Sequence, residues 1–101
     1  MIDIVWTTPS FAQLEALPEA LAFDIVGRVD VLAAFPEMGV SLRSRYPVLR
    51  NCRQLIVKKS HRIVYEFAAD TETIYILAVQ HCRQQLPTTR ELRRGLESEE
   101  N

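Results

Sequence analysis

Arg62-Ile63-Val64-Tyr65-Glu66-Phe67 and, after a short polar break, Thr73-Ile74-Tyr75-Ile76-Leu77-Ala78-Val79-Gln80 are the runs on which the fold turns. In the first run Ile63, Tyr65 and Phe67 alternate with Arg62, Val64 and Glu66. That period of two sends alternate side chains to opposite faces of a sheet. The second run is almost wholly apolar and rich in β-branched and aromatic residues, as a central strand covered on both faces requires. Strict alternation places Tyr75, Leu77 and Val79 on one of its faces and Ile74, Ile76 and Ala78 on the other. Just upstream, Arg53-Gln54-Leu55-Ile56-Val57 has the same period, and Lys58-Lys59-Ser60 is a tight turn between strands. Three consecutive strands are therefore expected near residues 52–58, 61–68 and 73–81.

Towards the N-terminus the pattern changes. Ile2-Asp3-Ile4-Val5-Trp6 is a short strand, and Thr7-Thr8-Pro9 is a helix start in which Thr8 caps and Pro9 occupies the first turn. Phe11, Leu14 and Leu17 share one face of a first helix, residues 10–17. Pro18 opens a second, residues 18–35, with Leu21, Ile25, Leu32 and Phe35 in one stripe and Val29 at its edge. Asp24 and Arg28 form an i,i+4 pair on its solvent side. Gly27, inside this helix, costs about 1 kcal/mol against alanine and marks either a close helix crossing or drift. Pro36 and Gly39 end the helix, and residues 40–51 form a loop. Beyond the last strand Pro87 breaks the chain, and Thr88 or Thr89 caps a short helix carrying Leu92 and Leu96. The order β-α-α-β-β-β-α predicts an α+β fold: two N-terminal helices on one face of a mainly antiparallel four-stranded sheet, then a short C-terminal helix. Residues 1–97 form the single domain and residues 98–101 an acidic tail.

Composition narrows the functional classes. With 101 residues there is room for one core. Twelve basic against thirteen acidic residues give a net charge of -1, so nucleic-acid binding must rest on a local patch. Cys52 and Cys82 match neither a disulfide framework nor a metal knuckle, and both are expected to be reduced and semi-buried at strand ends. No metal or cofactor is expected. The N-terminus lacks the basic start and apolar run of a signal peptide, and no stretch approaches the roughly 20 apolar residues of a membrane helix. A cytoplasmic protein without a membrane partner is the expectation.

A strand ending in Trp6-Thr7, the stretches Phe35-Pro36-Glu37-Met38-Gly39 and Leu49-Arg50-Asn51-Cys52-Arg53-Gln54-Leu55, then Arg62-Ile63-Val64-Tyr65-Glu66 and Ile76-Leu77-Ala78-Val79-Gln80-His81-Cys82-Arg83 follow one another in order. Together they resemble the RelE/ParE superfamily of small bacterial toxins over about residues 1–87. Each motif is short and degenerate; their joint order and spacing carry the likeness. The resemblance implies a type II toxin neutralised by a cognate antitoxin. RelE-like members cut mRNA on the ribosome and ParE-like members poison DNA gyrase, so the fold does not choose the target.

The resemblance also nominates residues. Arg62 and Arg83 match the family's basic positions, and His81 lies two residues before Arg83, so that a continuing strand would project both on one face. Metal-independent RNA cleavage needs a base for the ribose 2′-OH, an acid for the leaving oxygen and cations for the phosphorane. Arg62, His81 and Arg83 are the catalytic candidates; Arg53, Lys58 and Lys59 are the substrate-binding ones. The blander reading makes the lysines a solvated turn, pairs the arginines with carboxylates such as Glu66, and makes His81 a packing residue. Tyr65 is expected in the core with its hydroxyl reaching a surface partner. Two departures stand out. Gln84-Gln85-Leu86-Pro87 occupies the place of the family's C-terminal tyrosine, and Leu55 that of a lysine. Three outcomes stay open: an mRNA interferase, a gyrase inhibitor needing only a surface, or a noncatalytic member that binds antitoxin alone. The antitoxin would use the amphipathic helices and an exposed sheet edge.

Overall fold

The computed structural model describes residues 1–88, 90–93 and 96. The described elements are β1 (Asp3–Trp6), α1 (Thr8–Glu15), α2 (Glu19–Val31), β2 (Val40–Ser41), a 3-10 turn at Pro47–Leu49, β3 (Cys52–Val57), β4 (His61–Ala68) and β5 (Thr73–His81). Residues 90–93 and 96 are helical. The acidic tail expected from residue 98 lies outside the described residues.

The three expected strands are present, in a larger sheet than anticipated. Its order is β1-β5-β4-β3-β2, with β1 parallel to β5 and the remaining neighbours antiparallel. The expected four-stranded sheet is thus a five-stranded mixed one. The addition is β2, inside the segment expected as loop; Val40 pairs with Gln54 and Ser41 with Arg53. A two-residue strand exposed on both positions has no period to detect.

β5 lies between β1 and β4 and is buried along most of its length, as its composition demands. Its alternation is broken once. Tyr65 pairs with Ile76 and Val64 with Ala78, so Leu77 has no partner across the ladder. Such a bulge inserts one residue and reverses the facing of everything beyond it. Ile74, Ile76 and Val79 consequently pack with Leu14, Ile25, Val29, Ile63 and Tyr65 under the helices. Leu77 and Ala78 pack on the opposite face with Leu42, Leu49, Cys52, Val64 and Leu92. The expected facings of Val79 and Ala78 are both reversed.

Local chemistry sets the helices. Thr7, not Thr8, caps α1: its hydroxyl accepts from the Ser10 N–H at 3.4 Å and donates to the Ile76 carbonyl at 2.8 Å. Ser10 Oγ donates to the Thr7 carbonyl at 2.9 Å, so two buried hydroxyls tie the start of α1 to β5. α2 buries Ile25 and Val29, and Leu32 follows just beyond its end. The helix stops at Val31, short of the expected 35, and Phe35 and Phe11 are exposed, not core. Asp24 does not pair with Arg28; its carboxylate lies 3.5 Å from Lys58 Nζ instead.

The two glycines differ. A Cβ on Gly39 would lie 2.8 Å from the Gln54 carbonyl oxygen and from Cε1 and the hydroxyl of Tyr65. Glycine is the residue that allows so close an approach. A Cβ on Gly27 would meet nothing within 4 Å, so no close helix crossing explains it.

Candidate functional site

The β4 side chains point alternately to the two faces, and the candidate residues divide accordingly. Tyr65 faces the helices with its ring fully buried. Its hydroxyl donates to the Pro36 carbonyl at 2.8 Å and accepts from the Gly39 N–H at 2.9 Å. Burial raises the phenol pKa above its ordinary value, while the Gly39 N–H and then the Arg53 guanidinium act in the opposite direction. Arg53, in register with Tyr65, donates to the Gly39 carbonyl at 2.8 Å and the Glu37 carbonyl at 3.3 Å. Arg53 and Tyr65 together hold the loop of residues 36–39 onto the sheet. The partners of Arg53 are backbone carbonyls, not carboxylates.

Arg62 occupies the other face. Its Nη2 donates to the Cys82 carbonyl at 2.6 Å and the Gln84 carbonyl at 3.1 Å, and its Nη1 to Gln54 Oε1 at 3.3 Å. Nε of Arg62 and Oε1 of its cross-strand neighbour Gln80 are buried without a partner among the described residues. The guanidinium thus fixes the turn after β5 through Nη1 and Nη2. It does not pair with Glu66, whose carboxyl is held above its usual value by burial.

β5 ends at His81, so the expectation that His81 and Arg83 project together from one strand is corrected: Arg83 lies in the following turn and is exposed. Its backbone N–H donates to His81 Nδ1 at 3.0 Å, and the His81 N–H donates to Gln84 Oε1 at 2.8 Å. With Nδ1 accepting, a neutral His81 carries its proton on Nε2. The one lone pair of its ring is then engaged by the Arg83 N–H. His81 is instead the register partner of His61, the rings edge to face with centroids 5.0 Å apart. Ser60 Oγ is 2.8 Å from His61 Nδ1. Burial, then the charge of His81, lowers the His61 pKa. Because Arg62 alternates with His61, its side chain leaves β4 on the face opposite the histidine pair. Its guanidinium nonetheless reaches the Cys82 and Gln84 carbonyls on either side of Arg83, at the turn that also holds His81.

Lys58 and Lys59 form the β3–β4 turn with φ of 56° and 61°, closed by the Ser60 N–H on the Val57 carbonyl at 3.3 Å. Two positive-φ positions define the hairpin turn usually filled by Asn-Gly. Ordinary L-residues there cost roughly 1–2 kcal/mol each. Beside this turn lies a hollow of about 490 Å³ lined by Phe23, Gly27, Arg28, Ile56 and both lysines. A second, of about 570 Å³, opens on the other face between Cys52, Glu66, Leu77 and Leu92. There burial, with Glu66 adding to it, pushes the Cys52 thiol up to about 11, so it is inert at neutral pH. Both cysteines are free. Among the described residues no group of three or more His, Cys, Asp or Glu is placed to hold a metal ion.

Sequence reasoning missed Gln54 and Gln84, which complete the Arg62 and His81 bonds, and the hollow beside α2. Phe23, an aromatic next to Asp24 on the polar side of its helix, was the available signal for the hollow.

The chain matches, over residues 4–86, the family described as ParE toxin of type II toxin–antitoxin system, parDE. No curated protein matches it significantly. Among solved structures, the RelBE2 toxin–antitoxin complex from Mycobacterium tuberculosis aligns with TM-score 0.67 and 21% identity, over 82% of this chain and 93% of the other. The isolated RelE toxin of E. coli aligns with TM-score 0.70 and 11% identity, over 93% and 98%. A chromosomal ParDE system from P. aeruginosa aligns with TM-score 0.63 and 22% identity, over 80% and 96%. At these identities the solved structures speak for the fold.

Proposed function

Because the chain belongs to the ParE toxin family of type II toxin–antitoxin systems, we propose that it arrests growth by binding DNA gyrase and not by cutting mRNA. As the toxin component of such a system its partner is a cognate antitoxin. Among the described residues no helix is long and apolar enough to cross a membrane.

The observation that carries the choice of target is the bond from the Arg83 N–H to His81 Nδ1. It engages the imidazole lone pair that a ribonuclease would use as base, and the neighbouring sequence supplies no tyrosine in its place. Arg53 and Arg62 support the same reading in that each bonds backbone carbonyls of the chain itself, those of Gly39 and Glu37 and those of Cys82 and Gln84. Arg62 acts as a positioning residue: it holds residues 82–84, from which the C-terminal segment extends as the target-binding surface. Inhibition by occupation asks for shape and hydrogen bonding over that surface and for no proton transfer.

The test pairs two assays on purified chain, in vitro translation with mapped mRNA ends and gyrase supercoiling. The expected result is intact mRNA and inhibited supercoiling, with Arg62→Ala weakening inhibition through loss of the anchored turn. Codon-associated mRNA cuts that vanish in Arg83→Ala would overturn the proposal in favour of an interferase. An antitoxin-binding chain that affects neither assay would leave it a noncatalytic member.

A further inference from the structure

The turn after β5 is closed by hydrogen bonds of two kinds. The Ser60 carbonyl accepts from the Cys82 N–H at 2.8 Å, the His81 carbonyl from the Gln84 N–H at 3.0 Å, and the Cys82 and Gln84 carbonyls from Arg62. Backbone amides, carbonyls and a guanidinium keep the same hydrogens throughout the neutral range. The bond from the Arg83 N–H to His81 Nδ1 lacks that constancy, because its acceptor is an imidazole nitrogen. A protonated imidazole donates from both nitrogens, so neither Nδ1 nor, after a ring flip, Nε2 can accept from Arg83. At 3.0 Å the backbone N–H would then face another donor, and the turn must move.

His81 and His61 stand two residues from Val79 and Ile63, both packed under the helices, so the two rings share the helix face. The elements packed around the pair bring these other charged or titratable groups: Glu15 at the end of α1, which packs on β5, Lys58 and Lys59 before β4, and Cys82 and Arg83 after β5. Lys58 is matched by Asp24 of α2 at 3.5 Å. Burial first and the charge of His81 second lower the His61 pKa, so rings 5.0 Å apart resist a second proton. The two rings differ in what their partners tolerate. Ser60 Oγ, 2.8 Å from His61 Nδ1, donates or accepts and so suits either form of that ring. The Arg83 N–H only donates.

From that asymmetry we propose that His81 is a proton-operated latch on residues 82–84. Neutral, it holds the segment beyond them in its inhibitory position; protonated, it lets that segment go. The proposal rests on the reading of the segment as the target-binding surface. Leu86 and Leu92 carry the release outward, because both pack with Val64 and Leu77 on the sheet face opposite the helices and reach it through this turn.

The experiment follows the full chain by nitrogen–proton NMR from about pH 8 to about pH 5.5, across the ordinary histidine range. In parallel, binding to purified gyrase is measured at about pH 8 and about pH 6. Neutral His81 should show the Nε2–H tautomer, and the Arg83 amide should titrate with the midpoint of the His81 ring. Gyrase binding should weaken on acidification by about threefold to tenfold, the scale of one hydrogen bond. His81→Asn keeps an acceptor oxygen near the place of Nδ1 and takes no proton, so its Arg83 amide and its gyrase binding should lose this response. His61→Gln should retain the response of the Arg83 amide, since the latch is the bond of His81 alone. An Arg83 amide that stays fixed while His81 titrates would overturn the latch and leave the gyrase reading intact. Gyrase binding that is equal at both pH values, or an equal pH response in His81→Asn, would overturn it too. Wild-type chain that binds gyrase at neither pH overturns the reading of the target first, and the proposal with it.

Discussion

Gly39 and Gly27 sit at comparable positions, each beside the sheet and each next to residues of opposite charge, yet their surroundings are inverse. Around Gly39 the chain is closed: the Gln54 carbonyl and the Tyr65 ring stand where a methyl group would go, and two hydrogen bonds to Tyr65 and Arg53 pass through its backbone. Around Gly27 it is open, and the helix there forgoes about 1 kcal/mol of propensity with no packing in return. The first glycine is explained by the free chain. The second is not explained by any packing around it. The same residue type thus marks a tight backbone approach at one position and an open helix surface at the other.

The comparison can be broken most directly at Gly39. Gly39→Ala should lose about 1–3 kcal/mol in chemical denaturation, because the Gln54 backbone can yield only by displacing β3. A loss below about 0.5 kcal/mol would mean that the loop relaxes and that the two glycines are alike. Tyr65→Phe should cost about 1–2 kcal/mol by leaving the Gly39 N–H and the Pro36 carbonyl without their shared partner. Combined with Gly39→Ala it should lose less than the sum, since both disrupt one knot. Gly27→Ala should have the opposite sign, a gain of up to about 1 kcal/mol, read as a higher denaturation midpoint; a loss would reveal hidden packing. The smallest effect is one of pH. His61 has its folded pKa lowered, so on acidification through about 6.5 the unfolded chain takes up the proton first. Stability should therefore fall as pH drops through that value towards the lower folded one, and His61→Gln should flatten the slope. Both glycine variants should keep the wild-type slope, since neither touches the histidine pair.

The long strands were legible because each carries enough residues to display a period, and Ile74, Ile76 and Ile63 were correctly placed in the core. β2 was not, because two exposed residues carry no pattern. The bulge was not, because one extra residue changes no composition while reversing the facing of Val79 and Ala78. The site residues show the same division. Arg62, Arg53 and His81 could be singled out, but their partners are backbone groups of Cys82, Gly39 and Arg83. Any residue type presents those groups, so no sequence motif announces them. Where β5 stops decided the rest: one more strand residue pair would have aligned His81 with Arg83, and the turn instead placed a backbone donor on the ring. The hollow was illegible for a further reason, in that it is formed by an atom that Gly27 lacks and by the shortness of β2.

The parallel pairing of β1 with β5 has a consequence in time. Thr7 closes its hydrogen bond on Ile76, 69 positions later, and Asp3 lies beside Thr73. A chain emerges from its ribosome at roughly 5–20 residues per second, so the first strand to be made waits several seconds for the strand it needs. Closing so long a loop is entropically the dearest of the sheet's pairings, whereas the β3–β4–β5 meander closes over short turns. The turn at residues 82–84 is younger still. A sheet wired this way can be completed only after β5 has been made, whatever the order in which its other strands pair.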